Sequence, residues 1–257
     1  MLYNNFMPIL YWIIGASILS SVVSLAGRSI AFLGEEKFRR FIQYAISLAV
    51  GVLLGVVFLD VLPEALEMSE DPRGVLLWVL GGFLFFFILE RLLLVYHCHE
   101  GQCPVHVFGY LSLLGDAVHN FIDGVIIALA FFVDIKIGVL TAVAVVLHEI
   151  PQEMSDFLVL LHAGFSRARA MFYNFLIALT AVLGAILTYV FLGAIEGLIA
   201  PALAVVAGNF LYIAAVDLVP ELHEAEHGRK KTAVLAQFLL IFLGIAIIWA
   251  SGFILER

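Results

Sequence analysis

Charged residues are scarce in this chain: Asp, Glu, Lys and Arg make up 13% of its 257 residues, whereas 63% are hydrophobic. An ordinary soluble domain is about 45–50% apolar, so this sequence has too few charges to cover a soluble surface. A lipid bilayer resolves the imbalance, because about 20 apolar residues cross its hydrocarbon as a helix. The composition therefore predicts an all-α integral membrane protein with a single transmembrane domain over residues 1–257.

Other features are also missing or rare. The chain has no basic stripe, which argues against a nucleic-acid partner. Its first residues lack a basic stretch and a small-residue cleavage site, so we expect the first apolar run to be a retained helix. The two cysteines, Cys98 and Cys103, share one polar loop. They could form a disulfide outside the cell or bind metal inside it, and topology must decide between these alternatives.

Long apolar runs separated by polar breaks predict eight transmembrane helices. They lie at roughly 6–26, 42–64, 74–96, 107–132, 137–162, 170–191, 198–220 and 233–254. An even number of spans places both termini on the same side of the membrane.

Basic residues are distributed unevenly between the two sides. One side holds ten of them: Arg28, Lys37, Arg39, Arg40, Arg91, Arg167, Arg169, Arg229, Lys230 and Lys231. The side with the termini holds three: Arg73, Lys136 and Arg257. Basic loops stay in the cytoplasm, so we expect both termini outside. The loop over about 97–106 would then be cytoplasmic, where a structural disulfide is not expected.

The string D-x-x-P-E occurs twice, at 60–64 in the second span and at 217–221 in the seventh. These two spans run in opposite directions through the membrane. The same string on opposed helices is typical of an inverted repeat, a transporter pattern. Chance, or a shared preference at helix ends, is the alternative explanation.

Ionisable residues gather in the middle of the fourth and fifth spans. The fourth span carries Asp116, His119, Asn120 and Asp123, and the fifth carries His148, Glu149, Gln152, Glu153 and Asp156. Helical periodicity places each set on one face of its helix. Neither span contains a Lys or Arg that could pair with the acids. The spacing therefore predicts a polar site at the centre of the membrane.

Three of these acids, Asp123, Glu149 and Glu153, would together cost about 7–10 kcal/mol at mid-membrane. A bound cation offsets this most directly. Imidazole and carboxylate ligands favour Zn²⁺ and also suit Fe²⁺, Mn²⁺ and Cd²⁺. A polar network that only holds two helices together is the alternative. Pro151 lies within the site and predicts a kink in the fifth span.

At these residues the sequence resembles the ZIP family of metal-ion transporters, in its GufA-like branch. The resemblance depends on the stretches 119–124 (HNFIDG) and 148–153 (HEIPQE). It implies movement of Zn²⁺ towards the cytoplasm, with Fe²⁺, Mn²⁺ or Cd²⁺ variably accepted. It also implies a 3+2+3 arrangement of helices, alternating access by the first, fourth, fifth and sixth spans, and commonly a homodimer. No organic cofactor is expected.

The resemblance also implies roles for individual residues. A first metal ion would be surrounded by His119, Asp123, His148 and Gln152. A second, bridged ion would use Asn120, Asp123, Glu149 and either Gln152 or Glu153. This sequence departs from the family at Gln152, where many relatives have His. The sixth span also lacks the carboxylate found in some two-metal relatives and offers only Asn174.

Three other groups of residues could contact a metal ion along its path. The cytoplasmic loop over 97–106 offers three His and two Cys for metal capture, or is simply a flexible loop. His223 and His227, one helical turn apart, could receive an ion at the inner exit. Asp60 and Glu64 could form an acidic vestibule at the outer mouth. A solvated helix end is the alternative for the His pair, and a solvated loop capped by Pro63 is the alternative for the acidic pair.

Two other functions compete with transport. A membrane-embedded zinc hydrolase is suggested by the start of an H-E-x-x-H motif at His148, but Gln152 replaces its second His. A metal sensor that does not transport would need a large signalling domain, which is absent from this sequence. We therefore predict a multi-pass cell-membrane transporter of divalent metal ions, Zn²⁺ first among them, and not an enzyme.

Overall fold

The computed structural model describes residues 6–27, 35–95, 105–195, 198–224 and 231–255. Nearly all of these residues are helical, and no strand occurs among them. The predicted all-helical fold is therefore confirmed for the described part of the chain. The loop over 97–106 lies outside it, apart from the backbone of its last two residues.

Ten α-helices and two π-helical segments follow one another along the described chain. The α-helices are α1 (Phe6–Gly27), α2 (Glu35–Val56), α3 (Leu62–Glu67), α4 (Pro72–Val95), α5 (Val105–Val133), α6 (Ile135–His162), α7 (Arg167–Ile195), α8 (Ile199–Tyr212), α9 (Val219–Glu224) and α10 (Lys231–Leu255). The π-helical segments are Val57–Val61, between α2 and α3, and Ile213–Leu218, between α8 and α9.

Among the described residues, seven helical stretches are long and apolar enough to cross a membrane. They are Arg40–Glu67, Pro72–Leu92, Leu113–Val133, Ile135–Leu161, Arg167–Phe191, Ile199–His223 and Ala233–Gly252. These stretches correspond to the second to eighth predicted spans. The first predicted span lies on α1, where Pro8–Val23 forms a shorter apolar helix. The eighth crossing and the orientation in the membrane remain predictions.

The long helices pack as two bundles. In bundle A, α5 packs on α6 and α7, and α1 packs against the same three helices. In bundle B, α2 packs on α10 and α4 packs on α8, with α3 and the π-helical segments between these pairs. The main contact between the bundles is α2 against α6. Helices that are distant in sequence are therefore brought together around α5 and α6.

Glycines bring the helices within each bundle unusually close. A Cβ atom on Gly124 or Gly184 would overlap the backbone across the α5–α7 contact. The same holds for Gly51 between α2 and α10, and for Gly82 and Gly208 between α4 and α8. Small residues allow such backbone approach between membrane helices. At each of these three helix contacts, a residue with a larger side chain would therefore not fit.

The two π-helical segments coincide with the repeated D-x-x-P-E strings. Asp60 lies in the first segment, and Pro63 follows in α3. Asp217 lies in the second segment, and Pro220 follows in α9. A π-helical turn holds one more residue than an α-helical turn and is frequent at functional sites. The two strings therefore share a backbone distortion as well as a sequence.

Helix α6, which carries half of the predicted site, has a defined start and end. Asp134 caps its first turn, since its Oδ1 accepts a hydrogen bond from the N–H of Lys136 at 2.7 Å. At the other end Gly164 has a φ of 85°, and the N–H of Phe165 donates to the carbonyl of Leu160 at 3.0 Å. This is the pattern of a Schellman motif. Local hydrogen bonds therefore define both the first and the last residue of α6.

Pro151 lies inside α6, three residues after His148. Its ring nitrogen has no hydrogen to donate to the carbonyl of Leu147. The helix nevertheless continues through Pro151 to His162. The kink at this position remains a prediction.

Candidate metal centre

Four of the predicted site residues converge between α5 and α6. One ligand atom from each of His119, Asp123, His148 and Glu149 can be chosen so that all four lie within 4.8 Å of one another. We call this group the four-residue cluster. Helical geometry explains why His119 and Asp123 lie close together, because they are four residues apart on one face of α5.

The cluster lies at mid-depth of its two helices. Asp123 is the central residue of the apolar stretch Leu113–Val133, and His148 is the central residue of Ile135–Leu161. His148, Asp123 and Glu149 are buried, whereas the side chain of His119 keeps 20% of its surface exposed. His119 is therefore the member of the cluster with the most exposed side chain.

Three separations between ligand atoms match those of tetrahedral coordination. His119 Nε2 lies 3.3 Å from His148 Nε2 and 3.3 Å from Glu149 Oε1. His148 Nε2 lies 3.2 Å from Asp123 Oδ2. With metal–ligand bonds of about 2.0–2.1 Å, neighbouring ligands of tetrahedral Zn²⁺ are about 3.3 Å apart. Two further separations, 3.8 Å for His119–Asp123 and 3.7 Å for His148–Glu149, are slightly longer.

The ring of His148 is oriented by the backbone of its own helix. Its Nδ1 lies 3.0 Å from the carbonyl oxygen of Ala144. Because a carbonyl can only accept, Nδ1 carries the proton and donates it in this hydrogen bond. In the neutral form of the ring, Nε2 would then direct its lone pair into the cluster, as a metal ligand must.

The two carboxylates of the cluster have the two imidazoles as close polar neighbours: Asp123 Oδ2 lies 3.2 Å from His148 Nε2, and Glu149 Oε1 lies 3.3 Å from His119 Nε2. Both oxygens of Asp123 and both oxygens of Glu149 are buried without a hydrogen-bond partner among the described residues. Each side chain is only 1% exposed. Buried polar groups are nearly always hydrogen-bonded, and buried charges are paired or bind metals. These buried oxygens therefore suit a cation as their partner.

The other three predicted ligands lie outside the four-residue cluster or have another partner. Asn120 is buried, and its amide nitrogen donates to Asp116 Oδ1 at 2.8 Å. Glu153 is buried but is not part of the cluster, and Gln152 is half-buried. Their roles as ligands remain predictions.

Bundle B contributes two residues to the surroundings of the cluster that the sequence did not assign to it. The ring of Phe210, in α8, lies with its centroid 6.3 Å from that of His148. Asp217, in the second π-helical segment, is close enough to interact electrostatically with both imidazoles. The repeated string containing Asp217 was the one sequence signal that could have identified it.

Two buried asparagines are also left without partners. Asn174 in α7 is 0% exposed and Asn209 in α8 is 1% exposed. Neither the amide nitrogen nor the amide oxygen of either side chain has a hydrogen-bond partner among the described residues. The sequence singled out Asn174 as the polar residue of the sixth span and overlooked Asn209.

The secondary groups are only partly described. His223 is exposed at the end of α9, whereas His227 lies outside the described residues, as do Cys98 and Cys103. Asp60 and Glu64 are mostly shielded from solvent, near the start of α6. The vestibule and exit roles remain predictions.

Comparison with known proteins identifies a family. The family model described as "ZIP Zinc transporter" matches residues 9–106 and 97–252. "Zinc transporter ZIP13" of Pongo abelii is 40% identical over 221 residues, which cover 80% of this chain and 65% of the relative. The human protein of the same name is 34% identical over 260 residues, covering 80% of this chain and 69% of the relative.

A third relative gives the same result at greater coverage. "Zinc transporter ZIP13" of Danio rerio is 32% identical over 270 residues, covering 83% of this chain and 76% of the relative. The chain thus spans from slightly less than two thirds to about three quarters of the length of these three relatives. The predicted family is therefore confirmed: the chain belongs to the ZIP zinc transporter family.

Proposed function

We propose that this chain carries Zn²⁺ across a membrane into the cytoplasm through the four-residue cluster. The observation that carries this proposal is the four-residue cluster itself, in which two buried carboxylates, Asp123 and Glu149, lie beside two imidazoles at mid-depth. Fe²⁺, Mn²⁺ and Cd²⁺ are further candidate cargoes, since the same ligands accept them. We assign the chain to the cell membrane, as a multi-pass protein.

The charge of the cluster matches a divalent cation. Two carboxylates supply two negative charges, and the neutral imidazoles of His119 and His148 supply two nitrogen ligands. Binding one divalent ion would leave this part of the membrane interior without net charge. Such compensation removes most of the penalty for placing acids at mid-membrane.

The arrangement of helices supports alternating access. All four ligands belong to bundle A, and bundle B approaches the cluster through Phe210 and the nearby Asp217. Movement of bundle A along bundle B would carry the intact cluster from one side to the other. The helices of bundle A, α1, α5, α6 and α7, are those that the family resemblance assigns to this movement.

Symmetry, topology and assembly complete the proposal. We infer a single transmembrane domain of eight spans in a 3+2+3 arrangement, with α5 and α6 as the central pair and both termini outside. The shared π-helical distortion at Asp60 and Asp217 supports an inverted repeat. A homodimer is the proposed assembly.

The test is metal uptake into dye-loaded proteoliposomes. We expect saturable Zn²⁺ and Cd²⁺ uptake by the wild type and its loss in Asp123→Ala and His148→Ala. Asp71→Asn, which alters an exposed carboxylate between α3 and α4, is the matched control and should keep the maximal rate. Folded wild-type protein that binds Zn²⁺ but passes none would contradict transport and favour a sensor.

A further inference from the structure

Lys136 places a positive charge between the two bundles. It lies in the first turn of α6, and its amino group is 4.0 Å from Asp60 Oδ1 in the first π-helical segment. The side chains are 19% and 7% exposed, respectively. The pair therefore links bundle A to bundle B in a mostly shielded position.

Further carboxylates surround this pair. Glu64, one turn beyond Asp60, interacts electrostatically with Glu67, Asp134 and Lys136. Under the proposed topology this end of α6 faces the outside, where the metal ion arrives. Lys136 thus lies among acids that would otherwise attract the incoming cation.

The Lys136–Asp60 contact is loose. A separation of 4.0 Å exceeds the 2.7–3.2 Å of an N–H···O hydrogen bond, so these two atoms attract each other without one. A metal ion bound to the same carboxylate would approach to about 2.0–2.2 Å. The lysine ammonium is a compact charge on a flexible stem, so it can leave without movement of the backbone.

We propose that Lys136 is the resident counter-cation of the outer carboxylates, which an arriving divalent metal ion displaces from Asp60. Lys136 thereby sets the concentration at which metal enters. A divalent ion competes with it more effectively than a monovalent ion, because it carries twice the charge. This inference depends on the proposed uptake function and on the proposed orientation.

Initial rates of Zn²⁺ uptake at low ionic strength test the proposal. Lys136→Gln should lower the KM about threefold to tenfold, since one competing charge is lost, and keep kcat within about twofold. Lys136→Arg should behave like the wild type. Arg73→Gln removes a positive charge at the same end of the molecule, in the first turn of α4, and should leave the KM unchanged.

A double-mutant cycle distinguishes this contact from a general surface charge. Asp60→Asn should raise the KM, and adding Lys136→Gln to it should have a clearly smaller effect than in the wild type, because only the other outer carboxylates then remain near Lys136. An unchanged KM in Lys136→Gln, or the same shift in the Asp60→Asn background, would overturn the proposal. The same assay measures wild-type uptake. If the wild type transports Zn²⁺ and only the KM shift is missing, the role of Lys136 is wrong; if the wild type does not transport Zn²⁺, the proposed function is wrong.

Chemical modification provides a second test if Lys136→Gln is not recovered folded. Lys136→Cys, in a background with Cys98→Ser and Cys103→Ser, can be treated after folding with an aminoethyl or a hydroxyethyl methanethiosulfonate. Restoring a positive charge with the first reagent should raise the KM, whereas the neutral reagent should not. Equal effects of both reagents would contradict the counter-cation role.

Discussion

Contacts within the two bundles differ from the contact between them. Inside bundle A, α5 and α7 meet backbone to backbone at Gly124 and Gly184, and inside bundle B α2 and α10 do so at Gly51. Across the bundles, no described glycine would place a Cβ atom against the backbone of the other bundle. The contact of α2 with α6 therefore involves no such glycine. From this difference we infer two rigid bundles with a boundary that can repack.

We expect the largest loss of stability from a mutation that disrupts a glycine contact inside a bundle. Gly124→Leu would drive its side chain into the carbonyl of Ala181, and overpacking costs about 1–3 kcal/mol or more. We expect loss of folded protein, measured by size-exclusion chromatography in detergent and by thermal unfolding. Gly81→Leu, at a site on α4 with nothing within 4 Å, is the control and should fold. Normal folding of Gly124→Leu would contradict the close contact.

Measured Zn²⁺ affinities distinguish residues of the four-residue cluster from predicted ligands that lie outside it. His148→Ala should weaken Zn²⁺ binding by about 100-fold or more, because even the loss of groups that support ligands costs 10–100-fold. Asn120→Ala should weaken it less, since its amide nitrogen bonds to Asp116. Isothermal titration of the purified protein gives both values. Equal losses would place Asn120 among the ligands.

Tethering tests whether the boundary moves. A short thiol-reactive cross-linker between Asp60→Cys and Lys136→Cys, in the background without native cysteines, should reduce uptake about tenfold by joining the bundles. Ala117→Cys with Thr180→Cys joins α5 to α7 inside bundle A and should keep its uptake after linking. Each variant is compared with itself before and after the reaction. Uptake that survives the first tether would exclude relative movement of the bundles.

The smallest effect concerns a hydrogen bond inside bundle A. Thr180 Oγ1 lies 2.9 Å from the carbonyl oxygen of Ala117 in α5 and 2.6 Å from that of Ile177 in its own helix, and its single proton is shared between these two acceptors. Such bonds between membrane helices contribute about 0.6 kcal/mol on average, so Thr180→Val should lower Tm only slightly. Thr188→Val, whose hydroxyl donates within its own helix to Gly184, is the matched control. A large loss of stability in Thr180→Val would show that this contact contributes more than a typical bond.

The sequence predicted what depends on local periodicity. The apolar runs gave the helices, and residues four apart on one helix, such as His119 and Asp123, had to share a face. Packing between distant helices carries no such local signal. The approach of Phe210 to His148 and the contact of Lys136 with Asp60 therefore appeared only in the structure.

The π-helical segments and the bond of Asn120 to Asp116 show a second limit. A π-helical turn differs from an α-helical turn by one residue, and the repeated D-x-x-P-E string identified the places but not the distortion. The family resemblance assigned Asn120 to a second metal ion, a role that remains a prediction, and helical periodicity placed it on the same face as His119. On that face it also lies one turn from Asp116, which is the partner of its amide nitrogen in the structure.

The buried carboxylates of the cluster also have an electrical consequence. In the proposed cycle, Asp123 and Glu149 cross with their ion as a neutral unit, but the empty cluster would return with two negative charges. Each elementary charge moved through 100 mV changes the free energy by about 2.3 kcal/mol. An interior-negative membrane potential would therefore drive the empty return and leave the loaded step almost unaffected. Voltage would act on the resetting of the carrier, unless the imidazoles of His119 and His148, which are stronger bases than the carboxylates, bind protons on the way back.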